Sequence, residues 1–221
     1  MIKRIMLIAL CMAGSAFIGC KTLYIKELNR TPEFTLLNDA AKSAIAVGDM
    51  EIEVGATIDP MFKERYFSPK AFTYQYLHLF TYNLRLERAL ATVNVDTSRI
   101  WSLQNADGST KVSTSIDSLF ANATTDYIFT FPKFQVYIET ELNDTRYLNR
   151  RDLSSMSMET TQSIIVVAQV CLYDRKTRKP LIEFQTKGVS RETNYNFAIQ
   201  DAMNISIRNA ISFLRTGTTK F

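Results

Sequence analysis

Hydrophobic positions along the chain switch between a period of two and a period near 3.6, and the switches mark out its elements. Met50, Ile52, Val54, Ala56 and Ile58 alternate with Glu51, Glu53 and Thr57, the pattern of a strand with one face buried, which Asp59-Pro60 is expected to end. From Ala71 to Ala91, residues Phe72, Tyr76, Leu79, Asn83, Leu86 and Leu90 recur at helical spacing. Leu77, Phe80 and Leu84 widen the stripe, and Arg85, Glu87 and Arg88 lie outside it. This predicts an amphipathic helix with one broad buried face. Ala91 to Asp96 reads as a short strand, and Asp107-Gly108 as the turn of a hairpin that carries Trp101.

Ser115 to Ala123 suits a short helix capped by Ser115, and Tyr127 to Glu141 is an aromatic and β-branched run in which Pro132 should start or bulge a strand. Ile164, Val166, Ala168, Val170 and Leu172 then share one strand face, while Ile165, Val167, Gln169, Cys171 and Tyr173 share the other. Both faces should be at least partly covered. The polar stretch Asp174 to Pro180 leads into Leu181 to Val189, which predicts an antiparallel hairpin. Asn196 to Arg215 sets Ile199, Met203, Ile207, Ala210 and Leu214 opposite Gln200, Asp201, Asn204 and Arg208, a helix stopped by Gly217. This order of elements predicts the α+β class: a two-layer sandwich, with helices packed on one face of a mainly antiparallel or mixed sheet.

The first residues have a different pattern. Lys3 and Arg4 precede an uncharged run from Ile5 to Ile18, shorter than the ~20 apolar residues a membrane-crossing helix needs, so it reads as a cleaved export signal. Phe17-Ile18-Gly19-Cys20 resembles the lipobox of bacterial lipoproteins, with Phe17 where that family usually has Leu. The resemblance implies acylation of Cys20 and removal of residues 1–19. Residues 20–45 are mixed, broken at Thr31-Pro32 and Ala-rich from Ala40 to Ala46. They are expected to form a tether, with a helical turn or two at the alanines and a reach of roughly 80 Å when extended. Residues 46–221 are then one domain, long enough to bury a core.

Charge and side-chain chemistry narrow the function. The formal charge of +4 loses Lys3 and Arg4 with the signal and falls to +2, too little for a nucleic-acid partner. With Cys11 lost in the signal and Cys20 taken by lipid, Cys171 is left alone and no internal disulfide forms; its apolar run marks it as a small buried hydrophobe. His78 is the one histidine, so no multi-histidine metal site can be built, and no metal or cofactor is expected. Spaced four residues from Tyr74 and from Tyr82, it suits either an aromatic ligand contact or plain ring stacking. Glu51 with Glu53, and Glu139 with Glu141, would share strand faces, which suits acid–base pairs or solubilising charge. No glycine-rich phosphate loop, nucleophile elbow or zinc-protease helix motif occurs, and the chain is not expected to be an enzyme. Two basic groups remain: Arg146 with Arg150 and Arg151, and Arg175, Lys176, Arg178 and Lys179 at the hairpin turn. The second group is a candidate contact patch for anionic headgroups or an acidic partner, or else a solvated loop.

The helix leading into Ala91-Thr-Val-Asn-Val-Asp96, the strand opened by Ala123-Thr-Thr-Asp-Tyr-Ile-Phe129, the run Val166 to Asp174 with its basic turn and Leu181-Ile-Glu-Phe184, and the closing helix together resemble a group of envelope lipoproteins. These share an anticodon-binding-domain-like α/β fold: the curli-secretion type, the TolB amino-terminal type and auxiliary lipoproteins of envelope transporters. The likeness spans about residues 49–216. The glycine usual after the Asp of such turns is replaced here by Lys176 to Lys179, and the Trp101 hairpin is an insertion. The resemblance implies a non-catalytic assembly, accessory or regulatory component of a cell-envelope complex, or alternatively a periplasmic module that binds a lipid or small hydrophobic ligand for a transporter. Its partners would be the membrane, through the lipid, and an envelope complex or copies of itself. Lys21 after Cys20 lacks the Asp that retains lipoproteins at the inner membrane, which implies the periplasmic face of the outer membrane. Radiolabelled palmitate should enter the wild-type chain and not Cys20→Ala; label in neither would remove the acylation assignment.

Overall fold

The structure is a computed structural model and describes residues 24–48, 51–96, 116–143 and 159–218. The export signal with Cys20, the Trp101 hairpin, and Arg146, Arg150 and Arg151 lie outside the described residues. The described elements are β1 (Ile25–Arg30), β2 (Asp39–Val47), β3 (Glu51–Val54), α1 (Asp59–Tyr66), α2 (Pro69–Leu86), β4 (Leu90–Asp96), α3 (Ile116–Asn122), β5 (Tyr127–Thr130), β6 (Lys133–Asn143), β7 (Glu159–Asp174), β8 (Lys179–Ser190) and α4 (Tyr195–Thr216). They form the α+β sandwich expected from the pattern.

The sheet runs β1-β8-β7-β5-β2-β4. Two of its positions are shared, because β6 continues β5 beyond Phe131-Pro132 and β3 continues beyond β2, β3 pairing with β6 and β6 with β7. Proline has no N–H to give a ladder, and the Pro132 region is where pairing to β7 passes from β5 to β6. The pairs β2–β4, β2–β5 and β3–β6 are parallel, and β1–β8, β7–β8, β5–β7 and β6–β7 are antiparallel. The sheet is therefore mixed.

The main core lies between the sheet and helices α1, α2 and α4. Phe72, Tyr76, Leu77, Phe80 and Leu84 of α2 and Ile199, Met203, Ile207, Ala210 and Leu214 of α4 are buried in it. Aromatic rings run through it in edge contact, Phe72 on Phe134 at 5.6 Å, Tyr76 on Phe134 at 4.7 Å and Phe80 on Phe129 at 5.2 Å. Such pairs add about 0.5–1.5 kcal/mol each to the burial of the rings. Ser68 caps α2 by accepting from the Ala71 amide, ahead of Pro69, and Gly217 ends α4 with φ of 69°, the left-handed conformation glycine adopts without cost. The short α3 lies on the opposite sheet face. Its Leu119 and Phe120 pack on Val47 and Ile128, whose strand neighbours Ala46 and Phe129 belong to the main core.

Two expectations are corrected. The stretch expected to be a tether carries β1, hydrogen-bonded to β8, and β2, which sits between β5 and β4. The alanines at 40–46 are strand, not helical turns, because Ala44 and Ala46 fit a sheet interior crowded by large aromatics. The strand expected to run through Ile58 ends already at Val54, and Asp59-Pro60 opens α1 instead of ending a strand, Pro60 taking a first-turn position that needs no donor. The helix layer approaches β8 closely enough that a Cβ on Gly188 would stand 1.8 Å from the Ala202 carbonyl oxygen and 2.6 Å from the Ser206 nitrogen. Gly188→Ala must push α4 off the sheet and should cost about 3 kcal/mol or more, read as a lower urea midpoint; an unchanged midpoint would contradict the packing described.

Candidate functional site

The first described residue, Tyr24, lies level with the middle of β7, and the basic hairpin turn lies at one end of the sheet. The Lys187 amide donates to the Tyr24 carbonyl at 2.7 Å, and Lys187 pairs with Val167. From Val167, β7 runs on to Asp174 at about 3.3 Å per residue, so the turn stands roughly 23 Å from the level of Tyr24. The opposite direction from that level holds the ends of β6 and β8, the start of β7 and the first turn of α4.

At the turn, the Asp174 carboxylate accepts from the amides of Lys176 (2.7 Å) and Thr177 (3.1 Å), and Arg178 has φ of 57°. The four predicted patch residues separate into two roles. Arg175 is half-buried and structural: its guanidinium donates to the Ala123 carbonyl at 3.2 Å and its amide to the Asp126 carbonyl at 3.0 Å. Lys176, Arg178 and Lys179 are exposed. Beneath them Asp126 accepts from the Ser43 amide at 2.9 Å and hydroxyl at 3.1 Å, with Lys42 at 3.9 Å. The Ser43 amide holds the Asp126 carboxyl below the usual range against the opposing effect of burial, aided by the Ser43 hydroxyl and by Lys42 and Lys176. Sequence reading missed this Asp126–Ser43–Lys42 group, since β2 was not read as a strand beside β5.

At the other end, Lys187 pairs with Glu139 at 3.0 Å and Arg191 with Glu141 at 3.3 Å, and the Tyr195 hydroxyl donates to Gln162 at 3.3 Å. Tyr24, Glu139, Lys187, Arg191 and Asp201 line an open depression here. Asp201 also lines the next one, with Phe197, Gln200 and Asn204. Gln200 accepts from Arg65 at 2.7 Å, which brings in the end of α1 and Phe67. Phe67 is 90% exposed and Phe197 68% exposed. The sequence carried a signal for Phe197, an apolar residue outside the buried stripe of α4.

The remaining candidates are dispersed. Glu53 accepts from Lys133 at 2.6 Å and Gln135 at 2.7 Å, and the Lys133 hydrogen bond is the main reason its carboxyl lies below the usual range. Glu139 and Glu141 each face a cation, as above. These are surface pairs that solvent and salt screen, so they contribute little to stability. Tyr74 meets His78 with centroids 4.1 Å apart and the rings tilted by 50°, and Tyr82 is exposed on the same side of α2. Cys171 is 3% exposed, and burial pushes its thiol up to about 11, which leaves it unreactive. Among the described residues no cluster of three or more His, Cys, Asp or Glu could hold a metal ion, and no helix is long and apolar enough to cross a membrane.

No family model and no curated protein matches the chain. Solved structures similar to it include the PelC dodecamer of Paraburkholderia phytofirmans (TM-score 0.44, 10% identity, 86% of this chain and 96% of that one). Others are the hypothetical protein CT253 of Chlamydia trachomatis (0.39, 10%, 79% and 98%) and lipoprotein GNA1162 of Neisseria meningitidis (0.35, 12%, 77% and 98%). The likeness is distant, reaches no further than overall fold, and assigns the chain to no family.

The lowered Asp126 carboxyl has a signed consequence. Its folded value lies below the unfolded one near ~3.9, so its contribution to stability is present above that value and is lost as pH falls through the folded one. Asp126→Asn should therefore be less stable than wild type at neutral pH, with the difference shrinking in acid. A difference between the two unfolding midpoints that stays constant from neutral pH down through the carboxylate range would show that Asp126 carries no such linkage.

Proposed function

We propose that this chain is a lipid-anchored, non-catalytic component of a cell-envelope complex, an assembly, accessory or regulatory subunit at the periplasmic face of the outer membrane. The observation that carries this reading is Gly19-Cys20 behind a charged start and an uncharged run, a few residues ahead of β1. A domain attached there works beside its membrane. The surfaces left for a partner are the outer edges of β1 and β4, the Tyr74, His78 and Tyr82 row, and the exposed cations of the β7–β8 turn. Strand edges offer unpaired backbone groups to another chain. The turn points away from the Cys20 end, which favours an acidic protein surface over lipid headgroups as its contact.

The test is crosslinking and affinity purification from native membranes. Wild type should capture a defined envelope complex or a ring of its own copies. Cys20→Ala should lose or weaken the capture, and Lys176→Glu with Arg178→Glu and Lys179→Glu should weaken it while the fold survives, Arg175 being kept for its bond to Ala123. Recovery as a lone monomer carrying lipid would replace this reading with the binding-module one.

A further inference from the structure

We infer that the Tyr24 end of the domain lies on the lipid surface that holds Cys20, with Phe67 and Phe197 seated among the headgroups and upper acyl chains. The inference rests on the acylation of Cys20 in the reading above and adds the orientation and contact surface of the domain.

Chain length makes the first argument. β1 begins at Ile25, so residues 21–24 alone separate Cys20 from the sheet, a span of about 13 Å fully extended. Tyr24 is fixed at the level of Lys187 by its backbone hydrogen bond. At that level the Ser206 carbonyl of α4 accepts from the Thr186 hydroxyl at 2.7 Å. Phe197 precedes Ser206 along α4 by about 13 Å at 1.5 Å per residue, toward the Cys20 end. The lipid cysteine thus cannot lie much farther out than Phe197 itself.

Side-chain chemistry makes the second. Among the described residues Phe67 and Phe197 are the two most exposed large hydrophobic side chains, and both belong to this end. They are connected on one surface, because Tyr24 and Asp201 line one depression, Asp201, Phe197 and Gln200 the next, and Arg65, two residues before Phe67, bonds to Gln200. Phe67 also has φ of 56°, a conformation that costs a bulky side chain energy and here carries its ring into the open. Moving an exposed ring into the bilayer interface takes its apolar surface out of water, so two rings beside an acyl anchor fix the domain instead of letting it swing. The β6–β7 pair runs on past this level from Val167 to Glu159, about 26 Å, so the strands are tilted to the surface and this corner, rather than the strand tip, carries the contact.

The acylated full-length chain should be reconstituted in phosphatidylethanolamine and phosphatidylglycerol vesicles whose acyl chains are brominated near the headgroup. Trp101→Phe removes the one native indole, and Phe197→Trp, Phe67→Trp or Lys176→Trp then places a single reporter, the last at the far turn as control. Palmitate incorporation and vesicle flotation are measured on each. The expected result is that Phe197→Trp and Phe67→Trp are quenched several-fold more than Lys176→Trp. If the protein is acylated and floats while all three emit alike, the docking is wrong and the anchoring stands. If the two reporters are blue-shifted but unquenched, another protein or a second copy covers them, which also overturns it. Absence of both palmitate and flotation removes the anchoring reading and the docking with it.

Discussion

The fold is organised about β7, the longest described strand, which is hydrogen-bonded along both edges. On one side it pairs with β8 from Ile164 to Asp174, and on the other with β6 and then β5. A strand so placed has little water at its edges, and its sequence shows the consequence: Ile165, Val166, Ala168, Val170, Cys171 and Leu172 are all buried, with Val167 and Gln169 half-buried between them. Such a run is close to the continuous apolar pattern of fully covered strands. The edge strands β1 and β4, paired on one side only, are more exposed instead: Ile25 alone is buried in β1, and Leu90 and Val93 in β4.

The second constraint is the distance between α4 and β8. Gly188 allows the helix backbone to touch the strand, with Ala198, Ala202, Ser206 and Ala210 buried on the helix side. Close approach leaves polar groups with no water, and they satisfy one another. Thr186 donates to the Ser206 carbonyl, Asn209 to the Lys187 carbonyl at 2.9 Å, and the Tyr76 and Ser206 hydroxyls lie 3.2 Å apart. Burial pushes the Tyr76 hydroxyl well above its ordinary range, so it stays a neutral hydrogen-bonding group. Small residues bring the helix in, and the polar trio from α2, α4 and β8 fixes where it stops.

Periodicity revealed the elements whose own faces are amphipathic. The β7–β8 hairpin, α2 and α4 were legible because each buries a regular stripe, and Gly217 marked its helix end correctly. Pro132 was readable as a break inside the Tyr127–Glu141 run for the same local reason. β1 and β2 were not legible. In β1 only Ile25 is buried, so no alternation survives in the sequence, and in β2 the alanines favour helix locally but are held as strand by neighbours on both sides. α1 failed because it has almost no apolar stripe and its first-turn proline reads equally well as a stop. The candidate patch was legible as a run of cations, yet sequence could not separate the structural Arg175 from its exposed neighbours, because that division depends on Ala123 and Asp126 from other strands.

Misreading β1 as tether matters for function more than for fold. A long linker would decouple the domain from its lipid and make every surface equally available, whereas a few residues transmit the geometry of the sheet to the membrane. On the proposed acylation of Cys20, the end carrying Arg65, Phe67 and Phe197 is held near the membrane, and the Lys176, Arg178 and Lys179 turn is held far. The free strand edges then run between the two levels, so a neighbouring subunit anchored the same way meets β1 or β4 already at matching height. Orientation of that kind lowers the entropy a partner must surrender on binding, an advantage for a subunit whose surfaces are individually modest: exposed cations, a row of tyrosines and unpaired backbone. Short anchoring and weak, well-placed contact surfaces therefore belong together as one design for assembly at a membrane.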